Sequence, residues 1–334
     1  MTLVTARGCD PDSHRGMRRD ADRNTRRRSE RQHGAFSRLQ CLIDGHNKRT
    51  IQHRLGSGIW KRVFPGVYAL QGCPDGWRLR QMAACLWSKD GLAAGKAAGF
   101  LYDLPDCDPA PIEIMTGSRC ITPFSEVIVH RTNWLPWEQI SRIDRIPVTS
   151  VERTLLSLAA QLSPRRAAIV VDQAISKGLT TLAAIDRHLW LTARQGRDGC
   201  SLLREIKNER WSIGAVPTTP LETVVFEMIV GAGLPLPKLQ AEIFDDRGHF
   251  VARPDFLYTD EKVVVEAHSR QWHESLEAAK RDQERFNRLS VLGYRVVFVT
   301  WADATRNQFP TTSLISRMLE EPDFALPWRP AEWT

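Results

Sequence analysis

The sequence predicts a multidomain α/β protein of the α+β kind, and three observations lead there. A length of 334 residues exceeds what one core comfortably organises. A helix, helix, hairpin pattern opens the ordered part near Gly34, and a helix, three β-prone runs, a helix and a last strand occupy 218–310. The expected organisation is a basic arm over 1–33, a small domain over 34–71, a mainly helical middle region over 72–213, an αβββαβ unit over 218–310 and a tail over 311–334.

The arm carries nine arginines against five acidic residues and few large apolar groups. Such a segment buries too little to fold and lacks the apolar stretch of a secretory leader, so a disordered arm is expected, with Met17 as an alternative start. Its charge is +4. Residues 34–65, with six basic residues and Asp44, add +5, and everything else sums to −2, for a total of +7. A concentrated basic stretch marks a polyanion footprint, which places nucleic-acid affinity in the first 65 residues. No stretch approaches the ~20 apolar residues of a membrane helix, so no membrane is expected. Seven scattered cysteines without C-x-x-C spacing read as reduced thiols in a cytoplasm rather than a zinc site.

From Gly34, the apolar residues Phe36, Leu39, Leu42 and Ile43 recur at helical spacing until Gly45-His46-Asn47 breaks the helix. In the next short helix, Ile51 and Leu55 form the apolar face, while Lys48, Arg49, His53 and Arg54 are left to meet phosphates. Two β-prone runs joined by Pro65-Gly66 follow and carry Lys61 and Arg62. This is the order of a winged helix-turn-helix, in which Arg49, Arg54, Lys61 and Arg62 are the candidate DNA contacts, to phosphates first. The string Gly58-Ile59-Trp60-Lys61-Arg62-Val63-Phe64-Pro65-Gly66-Val67-Tyr68 resembles the N-terminal winged helix of abortive-infection (type IV) antitoxins. That resemblance implies DNA as partner and, with it, a cognate toxin.

In the middle region, helices are expected near 77–87, 92–102, 151–161, 164–176 and 182–193, with a strand pair near 112–115 and 127–130. The segments 93–104 and 147–154 resemble the continuation of the same antitoxin-like family. Gly214 to Pro217 is the best linker candidate.

The last unit starts at Thr219-Pro220-Leu221-Glu222, with Thr as N-cap, Pro at the first helical position and Glu three residues after the cap. A capping box accounts for Glu222. Strands are expected at 239–244, 249–257 and 262–267, a helix at 276–292 and a strand at 294–300. Asp255 lies near the end of the second strand, and Glu266 interrupts Val263-Val264-Val265 on the third. A carboxylate in an apolar strand costs roughly 2–7 kcal/mol or more unless compensated, and a divalent cation such as Mg²⁺ or Mn²⁺ compensates well. The five-residue turn between the strands sets Asp255 beside Glu266. Strand alternation puts His268 on the face of Glu266, where a base can take the proton of an attacking water.

Pro254-Asp255 followed by Glu266-x-His268 resembles the PD-(D/E)XK nuclease pattern with its lysine replaced. Ala267-His268-Ser269-Arg270-Gln271-Trp272-His273 is similar to the strand exit of very-short-patch-repair endonucleases, with Ser269 where those enzymes have Gly. The run from Arg281 to Val297 resembles their following helix and strand. This resemblance implies a restriction-endonuclease-like core that hydrolyses DNA phosphodiesters. It makes Asp255 and the Ala267 carbonyl metal ligands, with Glu266 a ligand in the broader superfamily's manner. His268 and His273 would move protons and position water, while Glu222, Asp282 and Arg285 support from outside. Asp282 and Arg285 read equally as an i,i+3 surface pair, and Trp272 as packing rather than base stacking. Two further readings stand beside the enzyme: an antitoxin-like regulator with an inactive nuclease fold, and an RNA-directed nuclease.

Overall fold

The computed structural model describes residues 11–118, 124–192, 198–268 and 276–321, without the side chains of 11–18, 213, 276–279, 281 and 282. Helices and strands mix throughout, as the α/β class requires. The chain divides into two compact units, 1–161 and 162–334.

The first unit opens with α1 (Pro11–Arg31), β1 (Ala35–Ser37), α2 (Arg38–Ile43), α3 (Lys48–Gly56), β2 (Trp60–Phe64) and β3 (Val67–Leu70). The three strands form an antiparallel sheet in the order β1-β3-β2. Ser37 caps α2 in a capping box with Gln40, and Asn47 caps α3. Phe36, Cys41, Ile51, Trp60 and Tyr68 make the small core, with the Phe36 and Trp60 rings edge to face at 4.9 Å.

Two expectations fail here. The disordered arm is, from Pro11, a helix: Ala21, Thr25 and Ser29 recur every fourth residue, and all three are buried. Small side chains let the helix approach closely, and its charges are used internally. Arg28 holds the buried Asp44 with two hydrogen bonds, of 2.6 and 3.1 Å, and Thr25 donates to the same carboxylate at 3.0 Å. Arg54, an expected DNA contact, is ion-paired with Asp22. The second failure concerns α2, whose only buried residue is Cys41. Phe36 belongs to β1, and Leu39, Leu42 and Ile43 are exposed.

The unit continues with α4 (Trp77–Trp87), β4 (Leu92–Ala93), α5 (Gly95–Leu101), β5 (Ile112–Thr116), β6 (Val127–Arg131), β7 (Ile140–Ile143), β8 (Ile146–Thr149) and α6 (Val151–Ala159). A five-stranded sheet in the order β6-β5-β4-β8-β7 stands where a small strand pair was expected. The missed hairpin β7/β8 turns on Asp144 and Arg145, both at positive φ. Tight hairpins usually signal themselves by Asn-Gly or Asp-Gly, and two charged residues in that role leave no such mark.

The second unit comprises α7 (Pro164–Ser176), α8 (Leu182–Thr192), α9 (Cys200–Ile213), α10 (Pro220–Gly231), β9 (Lys238–Leu239), β10 (Ile243–Phe244), β11 (Phe250–Ala252), β12 (Phe256–Tyr258), β13 (Val263–Ala267), α11 (Leu276–Val291), β14 (Arg295–Val299), α12 (Trp301–Thr305) and α13 (Gln308–Glu320). Four strands pair in the order β14-β13-β12-β9, parallel only between β13 and β14, while β10 and β11 form a separate ribbon. Each of the first two expected strands is therefore broken in two. Gln240 breaks one by adopting positive φ, and Arg253-Pro254 breaks the other, where proline offers no ladder N–H.

One face of the sheet, with Phe256, Tyr258, Val263 and Val265, packs with Val224, Val225 and Ile229 of α10, Ile315 and Met318 of α13, and Ile169 of α7. The other, with Leu257 and Val264, packs with Leu289. The expected tail from 311 is instead the body of α13, up to Glu320. Gly214 ends α9 in the left-handed conformation rather than separating domains, since α7 shares the core of α10. Arg210 of α9 is wholly buried and bonds Asp172 of α7 at 3.0 and 2.9 Å and Glu227 of α10 at 2.8 Å.

Candidate functional site

The pairing of Phe256 with Val265 puts Asp255 opposite Glu266, one step beyond the last paired residues of β12 and β13. Opposite residues in an antiparallel pair share a face. The two carboxyl groups are neighbours and act on each other electrostatically. Asp255 Oδ2 also accepts from the backbone N–H of Ala267 at 2.9 Å, so strand exit and acid are tied together.

Burial dominates the electrostatics here. Glu266 is 7 % exposed, and removal from water together with the neighbouring Asp255 raises its carboxyl to about 7, against the pull of Arg285. Asp255 is raised too, by burial first and by the charge of Glu222 second. Arg285 of α11 stands 3.5 Å from Glu266 Oε1, an oxygen that is buried and accepts no hydrogen bond.

Glu222 was accounted for in the sequence by a capping box, and here the structure differs. Thr219 does accept from Glu222 N–H at 3.2 Å. The Glu222 carboxylate, however, accepts from the Thr218 N–H at 2.8 Å and hydroxyl at 2.8 and 2.9 Å instead of closing the box. It lies on the same cleft as Asp255. Gln240, which the sequence did not single out, joins the two: its Nε2 donates to Glu222 Oε2 at 3.2 Å and to Asp255 Oδ1 at 3.0 Å. A left-handed φ of 50° at a residue with a Cβ costs roughly 1–2 kcal/mol. The backbone of Gln240 is held there by its N–H to the Asp255 carbonyl and by Arg253 Nε on its own carbonyl, both at 3.0 Å.

Glu222, Asp255, Ala267 and His268 line a cleft of about 1060 Å³ closed by Thr219–Leu221 and by Thr300, Trp301, Ala302 and Asp303. His268 is exposed, donates its backbone N–H to the Val299 carbonyl at 2.9 Å, and makes a T-shaped ring contact with Phe298. Trp301, half exposed at the start of α12, is a second lining residue that the sequence reading missed. His273 and Trp272 lie outside the described residues, as does the side chain of Asp282 on α11.

In the first unit, Arg49 on α3 and Arg62 on β2 are exposed. Lys61 is half-buried and its Nζ reaches the Cys73 carbonyl at 3.4 Å. With Arg54 committed to Asp22, the expected basic set is therefore split between solvent-facing and internally paired groups. Cys41, Cys73, Cys85, Cys107 and Cys200 form no disulfide, and among the described residues no helix is long and apolar enough to cross a membrane.

No family model matches the chain. It is similar to two proteins of Mycobacterium tuberculosis, Uncharacterized protein Rv2248 and Uncharacterized protein MT2308, each 25 % identical over 273 residues, which cover 82 % of this chain and 97 % of the relative. Among solved structures, the RV2827C protein of Mycobacterium tuberculosis matches at 14 % identity, over 63 % of this chain and 83 % of that one. Its TM-score of 0.34 is too low to carry an argument.

Proposed function

We propose that this protein is a divalent-cation-dependent DNA endonuclease whose second unit carries the hydrolytic centre and whose first unit docks on duplex DNA. The observation that carries the reading is the contact between Asp255 and Glu266 at the exits of neighbouring strands, beside a cleft that also receives Glu222 and His268. The run α10-β9-β12-β13-α11-β14 with its mixed sheet supports a restriction-endonuclease-like core. The run α1-β1-α2-α3-β2-β3 with sheet order β1-β3-β2 supports a winged helix.

The donor set fits a hard cation such as Mg²⁺ or Mn²⁺: it is all oxygen, and Glu266 Oε1 is a buried acceptor that takes no hydrogen bond. Among the described residues no three His, Cys, Asp or Glu side chains converge as they stand, and the Gln240 amide bridges Glu222 and Asp255. Asp255 and Glu266, with the Ala267 carbonyl, would hold the ion. When bound, it supplies charge relief and Lewis acidity at the phosphodiester. Glu222, held by Thr218, lines the far wall of the cleft. His268, exposed on the rim, is within the cleft to accept or return a proton at its ring nitrogen. Arg49 and Arg62 meet backbone phosphates and set the register of the first unit on DNA.

The test is cleavage of supercoiled plasmid by the full chain with Mg²⁺ or Mn²⁺, compared with Asp255→Ala. The expected result is nicked or linear product that disappears in the variant while thermal unfolding is retained. Cleavage that survives Asp255→Ala eliminates the assignment.

One observation favours a second reading, a DNA-binding regulator with an inactive nuclease fold. Arg285 supplies Glu266 with a positive charge from within the chain, which is the service a cation would perform. Sequence-specific retention on DNA without cleavage in any divalent metal identifies that case.

A further inference from the structure

Gln240 has no part in the chemistry above, yet it bridges two of the acids of the site. Its amide nitrogen has two hydrogens and gives one to each of two carboxylates from different elements, Glu222 of α10 and Asp255 ahead of β12. The remaining demands of those carboxylates are met elsewhere, by Thr218 on Glu222 and by the Ala267 N–H on Asp255. The backbone of Gln240 is fixed in the left-handed region by bonds to Asp255 and Arg253, so its side chain leaves the chain at a set point.

Resting on the reading of this cleft as a divalent-cation centre, we propose that Gln240 is its exchange residue. The amide nitrogen bridges Glu222 and Asp255 in the cation-free protein, and a half-turn of the terminal amide presents Oε1 to the ion when it arrives.

The chemistry singles out an amide. Glu222 and Asp255 share a donor between them when no cation is present, and Asp255 needs none once it holds the ion. A primary amide carries a donor and an acceptor at the same reach on one carbon, so one rotation about the last torsion changes its sign toward the site without moving the backbone. A lysine would compete with the ion permanently, a glutamate would repel the acids in the ion's absence, and a leucine would serve neither state. Gln240 is thus a positioning residue in the free protein and an oxygen ligand in the loaded one.

The experiment is calorimetric titration of the full chain with Mn²⁺ alone, together with thermal unfolding in EDTA and in Mn²⁺. The proteins compared are the unaltered chain, Gln240→Glu, Gln240→Leu and Asp255→Ala. Gln240→Glu keeps the acceptor and discards the donor, so its Mn²⁺ affinity is expected to rise about tenfold, with a lower melting temperature in EDTA that Mn²⁺ restores. Gln240→Leu discards both and is expected to bind Mn²⁺ about tenfold more weakly. The opposite signs are what a merely structural role would not produce, since loop damage weakens binding in both variants. Any result in which the two variants fail to move in opposite directions overturns the proposal. If that failure comes with Mn²⁺ binding that the unaltered chain shows and Asp255→Ala lacks, only the role of Gln240 falls. If the unaltered chain binds no Mn²⁺, the cation reading falls with it.

Discussion

Replacing Glu266 by Gln should remove most of the pH dependence of stability that originates in this site. The carboxyl is buried, in contact with Asp255, and raised from the ordinary 4.5 to about 7. A carboxyl whose folded value lies above its unfolded one holds its proton more tightly in the folded state. The stability this contributes is complete below about pH 4.5 and is lost as pH rises through about 7. At about 1.4 kcal/mol for each tenfold change in proton affinity, the loss is on the order of 3 kcal/mol. Asp255, raised by burial and by Glu222, titrates with Glu266 as one pair. A glutamine at 266 has no proton to lose and still offers an N–H to Asp255, so the contact survives while the linkage does not. The measurement is urea unfolding at pH 5 and pH 8 in EDTA, following the far-UV signal of both proteins. The expectation is that the unaltered chain loses markedly more stability over this interval than Glu266→Gln, and that Mg²⁺ at pH 8 recovers more of it in the unaltered chain. Equal losses in the two proteins would refute the reasoning, because every other titrating group is common to both.

Arg210→Ala leaves Asp172 wholly buried without its guanidinium, at a cost of about 3–5 kcal/mol, and should lower the melting temperature by roughly 10 °C. Arg49→Ala and Arg62→Ala should weaken DNA binding about equally on all sequences, each lowering the salt slope by about 1 in a fluorescence titration. Arg54→Ala, tied to Asp22, should instead show its larger effect on thermal stability. Ala21→Asp places a charge at a position 2 % exposed on α1 and should cost several kcal/mol in denaturant unfolding, whereas a disordered arm would tolerate it.

The centre of the candidate site was legible because strand arithmetic is rigid. A short turn between the two β-prone runs brings Asp255 near Glu266, and the register of β12 on β13, with the four residues 259–262 between the strands rather than the expected five, sets the two opposite each other. Its periphery was less legible, although Glu222 and Arg285 were named there. Glu222 satisfies the sequence pattern of a capping box, and only the direction of its carboxylate toward Thr218 and Gln240 separates the two roles. Gln240 carries no signal at all, since a non-glycine residue at positive φ looks like any other in sequence. Helix α1 was hidden for a related reason. Its buried stripe consists of Ala21, Thr25 and Ser29, residues too small and polar to register as an apolar face, within a run whose arginines suggest disorder. The reverse error occurred in α2, where Leu39, Leu42 and Ile43 resemble a core face and stand in solvent. Apolar periodicity reports what a helix offers to bury, and tertiary packing decides whether the offer is taken.

The buried guanidinium of Arg210 has a practical bearing on how this chain can be dissected. A fragment cut at the Gly214 punctuation mark would take α10 and the sheet but leave behind the arginine that Glu227 needs, and would strip Ile169 from a shared interior. Expression trials of the second unit should therefore begin upstream of Pro164, carrying three helices that no inspection of the acidic centre would suggest including.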